Sequence, residues 1–440
     1  MMFGLACIVL VYCQVTPLNG PLFSRWTWNT EIPLGRVVYY LSIPFMVYCL
    51  ALYLIDKTER SKLVVGLLTL TNLLTQISAI SITRHSFKWI YYVVDSPTTT
   101  SYYTDALSIN NLLDWLTNYH LLNTLHMHSM THPPGPILLY YLFNKFLGPY
   151  YGAYAGALTI GLLGSISIII LYQITTIYDL KENERLTVCA YYSIIPSLIL
   201  FFPEFDQMYT IFSMTMVYFW LKSLNIGITY IFPFTLIVFI STMFAYNILA
   251  VGIFIVLFAL HYIYYNTDRS GAIKYVLKLA ITFGIGIILM YAILYALTGY
   301  NPVYSFLSAL VNQHYIQSIF LKGERAYYIT IFTDIYDFFL GSGFLSLPLL
   351  ILFVRNTWLK GGAEYKLSYV WIGLISILII NLTGLLRCET ARVWLFLQPF
   401  LAISVVIELN KFSSFQKNAI LIVLFLILVT IKSSMWFVSP

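Results

Sequence analysis

Long apolar stretches recur along the chain and constrain its fold more than any other feature. Thirteen of them have roughly the length that crosses a bilayer, about 20 residues each, and together they occupy more than half of the 440 residues. Charged residues make up only 10% of the sequence, whereas a soluble domain has about 25%. The sequence therefore predicts an all-α, polytopic integral membrane protein and excludes a water-soluble fold.

The predicted spans divide the chain into an N-terminal pair, within residues 1–61, and a core, residues 62–440. The run that begins at Met2 lacks a basic leader and a small-residue cleavage site, so it is predicted to be a retained span and not a signal peptide. The thirteen predicted spans are residues 2–16, 37–55, 63–82, 152–178, 187–202, 208–224, 228–244, 248–265, 274–297, 338–354, 366–385, 393–409 and 417–437.

Lysines and arginines gather in short loops on one side of these spans. The positive-inside rule makes that side cytoplasmic. The opposite side holds two long loops, residues 83–151 and 298–337, with six of the seven histidines and many of the carboxylates. The longest loop is too short for a nucleotide-binding domain of about 100 residues or more. We therefore expect small-molecule chemistry at the outer face of the membrane, and no nucleic-acid partner.

The first outer loop contains a predicted amphipathic helix. Thr104 is suited to cap a helix that begins at Asp105 and presents apolar residues at helical spacing up to Tyr119. Such a helix would lie at the membrane interface. It would hold Asp105 at its N-terminus, where the helix dipole favours a carboxylate. Asp105 is thus either a functional carboxylate or a residue that only stabilises the first turn.

A histidine-rich segment closes this loop, with the sequence H-M-H-S-M-T-H-P-P-G-P over residues 126–136. Three prolines in four residues predict an extended elbow that aims His132, with Pro136 suited to open the next helix. The spacing of the three histidines would also suit Zn²⁺, but neither a cysteine nor a zincin motif accompanies it. We predict no metal here. We expect His132 to bond a substrate hydroxyl or phosphate, the alternative being a packed or solvated histidine.

These features, in this order, resemble the GT-C superfamily of polytopic membrane glycosyltransferases, such as the protein O-mannosyltransferases and the lipid A aminoarabinose transferases. The resemblance rests on the long first outer loop with its acidic residue, the amphipathic helix and the closing elbow at residues 132–135. Two further segments match: the acidic turn P-E-F-D-Q at residues 203–207, and R-C-E-T-A-R-V-W-L-F at residues 387–396. The latter is similar to an R-x-E-x-x-R-x-W-L pattern in bacterial and archaeal relatives. The resemblance covers about residues 62–410.

The resemblance implies transfer of a sugar from a polyprenyl-phosphate donor to a hydroxyl of a glycan, lipid or protein acceptor. The reaction would take place at the extracytoplasmic face, in a prokaryotic plasma membrane, with membrane lipids as surroundings. A membrane-borne donor fits a sequence without a nucleotide-binding phosphate loop. Because phosphate is a good leaving group, one carboxylate base and cations on the phosphate would suffice, without the second carboxylate of glycosidases.

Asp105 is the predicted base, and Asp95 is its rival. In typical relatives the key acidic residue follows soon after the first core span, whereas residues 84–94 intervene here. His132 is expected to position the donor or the acceptor. Asp206 is either a second carboxylate of the site or an ordinary residue at a helix end.

Arginines suit bidentate contact with a phosphate. Arg387 and Arg392 are the predicted phosphate ligands, because they lie on the outer side against the positive-inside bias. Glu389 is grouped with them, although Glu389 and Arg392 would also form an ordinary helix pair that contributes about 0.2–0.5 kcal/mol. Three weaker candidates for substrate or phosphate binding are His128, Lys322 and Arg325.

A transporter or flippase of a lipid-linked or polar solute is the alternative function. No charged residue falls near the middle of a predicted span, which disfavours ion-coupled transport. Prolines within the spans, such as Pro196, would nevertheless allow the broken helices from which transporter sites are built.

Overall fold

The computed structural model describes residues 1–15, 18, 20, 26–28, 34–57, 60–83, 85–122, 124–320, 327–359, 365–384 and 386–436. Within these ranges the chain is almost entirely helical. The helices and strands are α1 Met2–Tyr12, β1 Thr27–Trp28, α2 Leu34–Ile55, α3 Ser61–Ser81, α4 Lys88–Val94, α5 Tyr102–Leu107, α6 Leu112–Thr117, α7 Gly135–Leu147, α8 Pro149–Ile177, α9 Glu182–Ser193, α10 Pro196–Leu200, α11 Asp206–Asn225, α12 Ile231–Phe244, α13 Gly252–Tyr265, α14 Arg269–Thr298, α15 Pro302–Phe320, α16 Tyr327–Gly341, α17 Ser346–Leu359, α18 Tyr365–Thr383, α19 Thr390–Val393, α20 Gln398–Leu409, α21 Ser414–Ser434 and β2 Met435–Trp436.

Six helices in the described ranges are long and apolar enough to cross a membrane: α2, α3, α8, α13 with its preceding turn, α14 and α21. The 30 residues of α14 extend over about 45 Å, more than the hydrocarbon core of about 30 Å. The α16–α17 pair would make a seventh span. The chain is therefore an all-α integral membrane protein. The remaining predicted spans correspond to shorter or broken helices, so the count of thirteen stays a prediction.

Two predicted spans are not single helices. The span predicted over residues 338–354 is wrong as a straight helix, because α16 and α17 meet at an angle of 110°. Gly343 and Phe344 lie between them with φ of +82° and +62°, a left-handed conformation that ends a right-handed helix. The span predicted over residues 187–202 is likewise divided into α9 and α10, with the break just before Pro196.

The amphipathic helix predicted over residues 105–119 is also divided. Residues 108–111 separate α5 from α6. Asn111 starts α6 as its N-cap, and its side-chain oxygen accepts from the backbone N–H groups of Leu113 and Asp114 at 3.1 and 3.4 Å. Thr104 is not a cap, since α5 begins at Tyr102 after Ser101. The capping side chain of Asn111 therefore starts a new helix where the continuous apolar periodicity predicted a single one.

The chain forms two compact units by its internal contacts. The first unit contains residues 1–89, 160–214 and 326–439. Buried amides join its helices: Asn72 of α3 donates to the carbonyl of Ser193 at 2.7 Å, and Gln76 donates to Asn72 Oδ1 at 2.6 Å. Ser165 of α8 donates to the same Asn72 oxygen at 2.8 Å. Hydrogen bonds of this kind hold apolar helices together in a membrane, where lipid supplies no polar partners.

The second unit contains residues 90–159 and 215–325. Its α7 packs tightly on α12: a Cβ added at Gly135 would lie 2.2 Å from the carbonyl oxygen of Met243. Gly135 therefore permits a backbone approach that no larger residue permits. Pro136 stands in the first turn of α7, which confirms its predicted place at the start of that helix.

Candidate active site

Asp105 and His126 form a hydrogen-bonded pair in the second unit. His126 Nδ1 donates to Asp105 Oδ1 at 2.7 Å, and the backbone N–H of His126 donates to Asp105 Oδ2 at 3.2 Å. The carboxylate only accepts, so Nδ1 carries the proton. The side chain of Asp105 is 4% exposed and that of His126 is 40% exposed. The imidazole is therefore the member of the pair that a substrate can reach.

The turn before α5 places Asp105 in this buried position. Ser101 has a left-handed φ of 54°, and its hydroxyl lies 3.1 Å from that of Ser129 in the histidine-rich segment. Tyr103 packs its ring edge-to-face against Tyr140 of α7, with centroids 5.7 Å apart. These contacts bring the start of α5 against the elbow, and Asp105 reaches His126 from the following turn.

His132 stands in extended backbone, with φ −116° and ψ 160°, as the prolines predict. Its Nδ1 donates to the carbonyl of His128 at 2.9 Å, which fixes the ring orientation. Tyr119 donates its hydroxyl proton to the carbonyl of His132 at 2.8 Å. The ring of Tyr102 lies edge-to-face with the imidazole, with centroids 5.6 Å apart. The backbone and these contacts thus hold His132 in a fixed position, as predicted. The role of His132 toward a substrate stays a prediction.

Asp95, the predicted rival of Asp105, lies directly after α4 in the same unit. Its backbone carbonyl accepts from the Thr104 hydroxyl at 3.3 Å. Burial raises the pKa of its carboxyl group, which favours the neutral form. Asp105, by contrast, contacts the imidazole of His126 at 2.7 Å, and the choice between the two carboxylates as the base stays a prediction.

Arg392 is the centre of a second cluster, in the first unit. Its Nη2 lies 2.8 Å from Glu389 Oε2, its Nη1 lies 3.7 Å from Glu204 Oε1, and its Nε lies 3.6 Å from Asp206 Oδ2. The sequence-predicted members Asp206, Glu389 and Arg392 are therefore brought together, and the predicted Glu389–Arg392 pair forms. Three carboxylates share this one guanidinium group.

Burial raises the pKa of Glu204 to about 8, against the opposing effect of the nearby Arg392. Glu204 lies in the turn between α10 and α11 and is 4% exposed. Its neutral form is favoured because a buried carboxylate loses its hydration. At neutral pH the cluster is then one guanidinium group facing two carboxylates and one carboxylic acid.

Arg387 differs from Arg392 in its surroundings. The residue is half-buried, and its Nε has no hydrogen-bond partner in the part of the chain that the structure describes. A buried polar atom without a partner costs free energy. The Nε of Arg392 also lacks a hydrogen-bond partner among the described residues, but the guanidinium group of Arg392 lies beside three carboxyl groups.

Asp334 and Asp337 of α16 hold the segment that carries both arginines. Asp334 Oδ1 accepts from the backbone N–H of Cys388 at 3.0 Å, and Asp337 Oδ2 accepts from that of Ala391 at 2.9 Å. Between them, Cys388 and Glu389 adopt left-handed φ of 72° and 50°. Both aspartates are almost fully buried. Neither aspartate was among the predicted site residues, although two acidic residues three apart in an apolar stretch were an available signal.

Three sequence candidates remain: His128, Lys322 and Arg325. His128 lies in the elbow and contributes its carbonyl to His132. Lys322 and Arg325 lie outside the described residues.

Within the described ranges, no three His, Cys, Asp or Glu side chains are placed to hold a metal ion. The other candidates form two sets: Asp95, Asp105 and His132 belong to the second unit, and Asp206, Arg387, Glu389 and Arg392 to the first.

The sequence matches no family model and no curated protein. Among solved structures, the chain is similar to ArnT from Cupriavidus metallidurans in the apo state, with a TM-score of 0.49 and 12% sequence identity. The match covers 81% of this chain and 62% of that one, so this chain spans less than two thirds of the length of that protein.

Proposed function

We propose that this protein is a membrane glycosyltransferase that transfers a sugar from a polyprenyl-phosphate donor to a hydroxyl acceptor at the extracytoplasmic face. The observation that carries the proposal is the Asp105–His126 pair: a buried carboxylate orients a half-exposed imidazole through Nδ1 at 2.7 Å. A carboxylate in this position fixes the tautomer of a histidine that acts as a general base. The proposal therefore gives proton acceptance to His126 and orientation to Asp105.

In the proposed step, His126 Nε2 takes the proton of the acceptor hydroxyl. The acceptor oxygen forms the new bond to the anomeric carbon, while the bond from that carbon to the phosphate oxygen breaks. The departing polyprenyl phosphate keeps the bonding electron pair. Asp105 stabilises the resulting imidazolium, because its carboxylate already accepts the hydrogen bond from Nδ1–H. His132, held by His128 and Tyr119, is proposed to bond a hydroxyl of the donor or acceptor.

Charge on the departing phosphate requires a cation. Arg387 is proposed for this role because it is a half-buried cation of the 387–396 segment. Arg392 is occupied by Glu204, Asp206 and Glu389. It is proposed to bind phosphate only as a second, weaker ligand.

The test is a transfer assay on the detergent-purified protein, with a panel of polyprenyl-phosphate sugars and a lipid and glycan extract as acceptor. Mass spectrometry would follow the release of free polyprenyl phosphate and the gain of a sugar mass on the acceptor. We expect turnover by the wild type, loss of turnover in His126→Ala, and partial rescue of that variant by added imidazole. Normal turnover in His126→Ala would contradict the assignment of His126.

A transporter of a lipid-linked solute is the second candidate, favoured by the 110° bend between α16 and α17. Broken helices of this kind build the central sites of many transporters. The same assay separates the two functions, because a transporter forms no new glycosidic bond in detergent. Solute movement in proteoliposomes without any transfer product would favour transport.

A further inference from the structure

A groove opens between the first turns of α3 and the later turns of α8, both in the first unit. Its volume is about 710 Å³, and its lining includes Arg60, Ser61, Lys62, Gly66, Ile169 and Tyr172. The sequence places this end of α3 on the side that the positive-inside rule predicts to be cytoplasmic. The groove is therefore separate from the residues to which the proposed function assigns roles.

One end of the groove is positively charged. Arg60 and Lys62 line it, and both are exposed. The N-terminus of α3 lies between them, with Arg60 as an N-cap that makes no side-chain capping hydrogen bond. The helix dipole adds partial positive charge at this point. None of the described residues that line the groove is acidic.

The wall beside these cations is fixed by contacts of α8 with α9. The Tyr172 hydroxyl donates to Glu182 Oε1 at 2.6 Å, and Arg185 Nη1 donates to Glu182 Oε2 at 2.7 Å. The guanidinium group of Arg185 also lies over the Tyr172 ring, 4.0 Å from its centroid. Glu182 is thereby paired within the wall. Glu182 also hydrogen-bonds with Ser61 at the start of α3, and its charge is balanced by Arg185.

The other end of the groove is apolar and faces outward. Leu63 and Ile169 are 48% and 38% exposed on two helices that are long enough to cross the membrane. Apolar side chains exposed on such helices contact lipid tails. A Cβ added at Gly66 would meet no heavy atom within 4 Å, so open space lies above this residue. The groove thus joins a cationic end to an apolar, membrane-facing end.

We propose that this groove binds one anionic phospholipid, with its headgroup phosphate at Arg60 and Lys62 and its acyl chains along Leu63 and Ile169. The charge of the groove complements a phosphodiester, and its apolar end complements the acyl chains. Juxtamembrane cations attract anionic lipids in this way. A free phosphate would use only the charged end, so a lipid accounts for both ends.

The test uses native mass spectrometry of the full chain, with phosphatidylglycerol or phosphatidylcholine added to the detergent. The double variant Arg60→Ala/Lys62→Ala removes both charges. Gly66→Phe keeps both charges and fills the open space. Lys278→Ala is the matched control, because Lys278 is an exposed lysine outside the groove on the same predicted side. The variant Arg60→Lys/Lys62→Arg keeps both charges and is the control for a folding defect caused by substitution at these two positions.

We expect the wild type, Lys278→Ala and the charge-preserving variant to retain one phosphatidylglycerol in preference to phosphatidylcholine. The apparent Kd should rise by about 25-fold in Arg60→Ala/Lys62→Ala, because each cation contributes about fivefold near an anionic lipid. Gly66→Phe should lose the bound lipid as well. Three results would each overturn the proposal: equal retention of phosphatidylcholine, unchanged retention in Gly66→Phe, or displacement of the lipid by millimolar inorganic phosphate.

Discussion

The two clusters of ionisable residues in this protein balance their charges differently. In the second unit, one carboxylate, Asp105, meets one imidazole, His126, at 2.7 Å. In the first unit, three carboxyl groups surround the single guanidinium group of Arg392. The Asp105–His126 arrangement pairs a proton carrier with the group that orients it, whereas the carboxyl groups around Arg392 lower its affinity for another anion. Proton transfer thus fits the second unit, and phosphate binding in the first unit fits Arg387 better than Arg392.

The largest expected effect comes from Asp105→Asn. The variant removes the acceptor that fixes His126 Nδ1, and general base catalysis contributes about 10²–10⁴-fold in rate. We expect kcat for sugar transfer to fall within that range. Asp114→Asn, which changes an exposed carboxylate of the same loop, is the matched control and should leave kcat unchanged.

Imidazole rescue of His126→Ala tests whether Asp105 orients the imidazole or only stabilises the fold. Imidazole should rescue turnover in His126→Ala but not in the double variant Asp105→Asn/His126→Ala, since the added base then lacks its partner. Equal rescue in both backgrounds would show that Asp105 does not act through the imidazole.

Arg387→Ala should have the next largest effect. Hydrogen bonds to charged groups contribute about 1.5–3 kcal/mol, so KM for the lipid donor should rise about 10- to 100-fold. Arg392→Ala should raise KM less, because its guanidinium group is shared among Glu204, Asp206 and Glu389. Transfer kinetics at varied donor concentration measure both. If Arg392→Ala raised KM as much as Arg387→Ala or more, Arg387 would not be the preferred phosphate ligand.

Asp337→Ala should destabilise the first unit. It leaves the buried N–H of Ala391 without the acceptor that it has at 2.9 Å, and a buried donor left without a partner costs about 1–3 kcal/mol. We expect a lower unfolding temperature in detergent and a donor KM that rises through displacement of Arg387. A variant of unchanged thermal stability would show that the 386–394 segment is held by other contacts.

A further expected effect is the pH dependence due to Glu204. Its pKa in the folded protein, about 8, is above the ordinary value of 4.5, so the folded state binds the extra proton between these pH values. Stability should therefore decrease as pH rises from about 4.5 to about 8, with a slope of at most about 1.4 kcal/mol per pH unit. Glu204→Gln should flatten this slope in thermal unfolding at several pH values. If the slope of stability against pH persisted in Glu204→Gln, it would come from another titrating group.

Local sequence signals predicted the parts of the site that one segment builds. The prolines after His132 predicted its extended backbone and the start of α7 at residues 135–136. The capping signal of Asn111 was present too, but the continuous apolar periodicity of residues 105–119 obscured it. The contact between Asp105 and His126, 21 residues apart, depends on that helix break.

Contacts between distant segments could not be predicted in the same way. Arg392 meets Glu204 across a separation of 188 residues, and the sequence assigned both only to the same side of the membrane. Asp334 and Asp337 were placed on that side as well, yet their role depends on the left-handed backbone at Cys388 and Glu389. Such backbone is set by tertiary hydrogen bonds, which no residue pattern specifies.

The most direct test of the central claim is native mass spectrometry of the detergent-purified protein after addition of a polyprenyl-phosphate sugar. Wild type, Arg387→Ala and the control Lys278→Ala would be compared at equal concentrations of this lipid. We expect one retained polyprenyl phosphate or its glycoside in the wild type and the control, and a marked loss in Arg387→Ala. No binding to the wild type, or equal retention in Arg387→Ala, would contradict it.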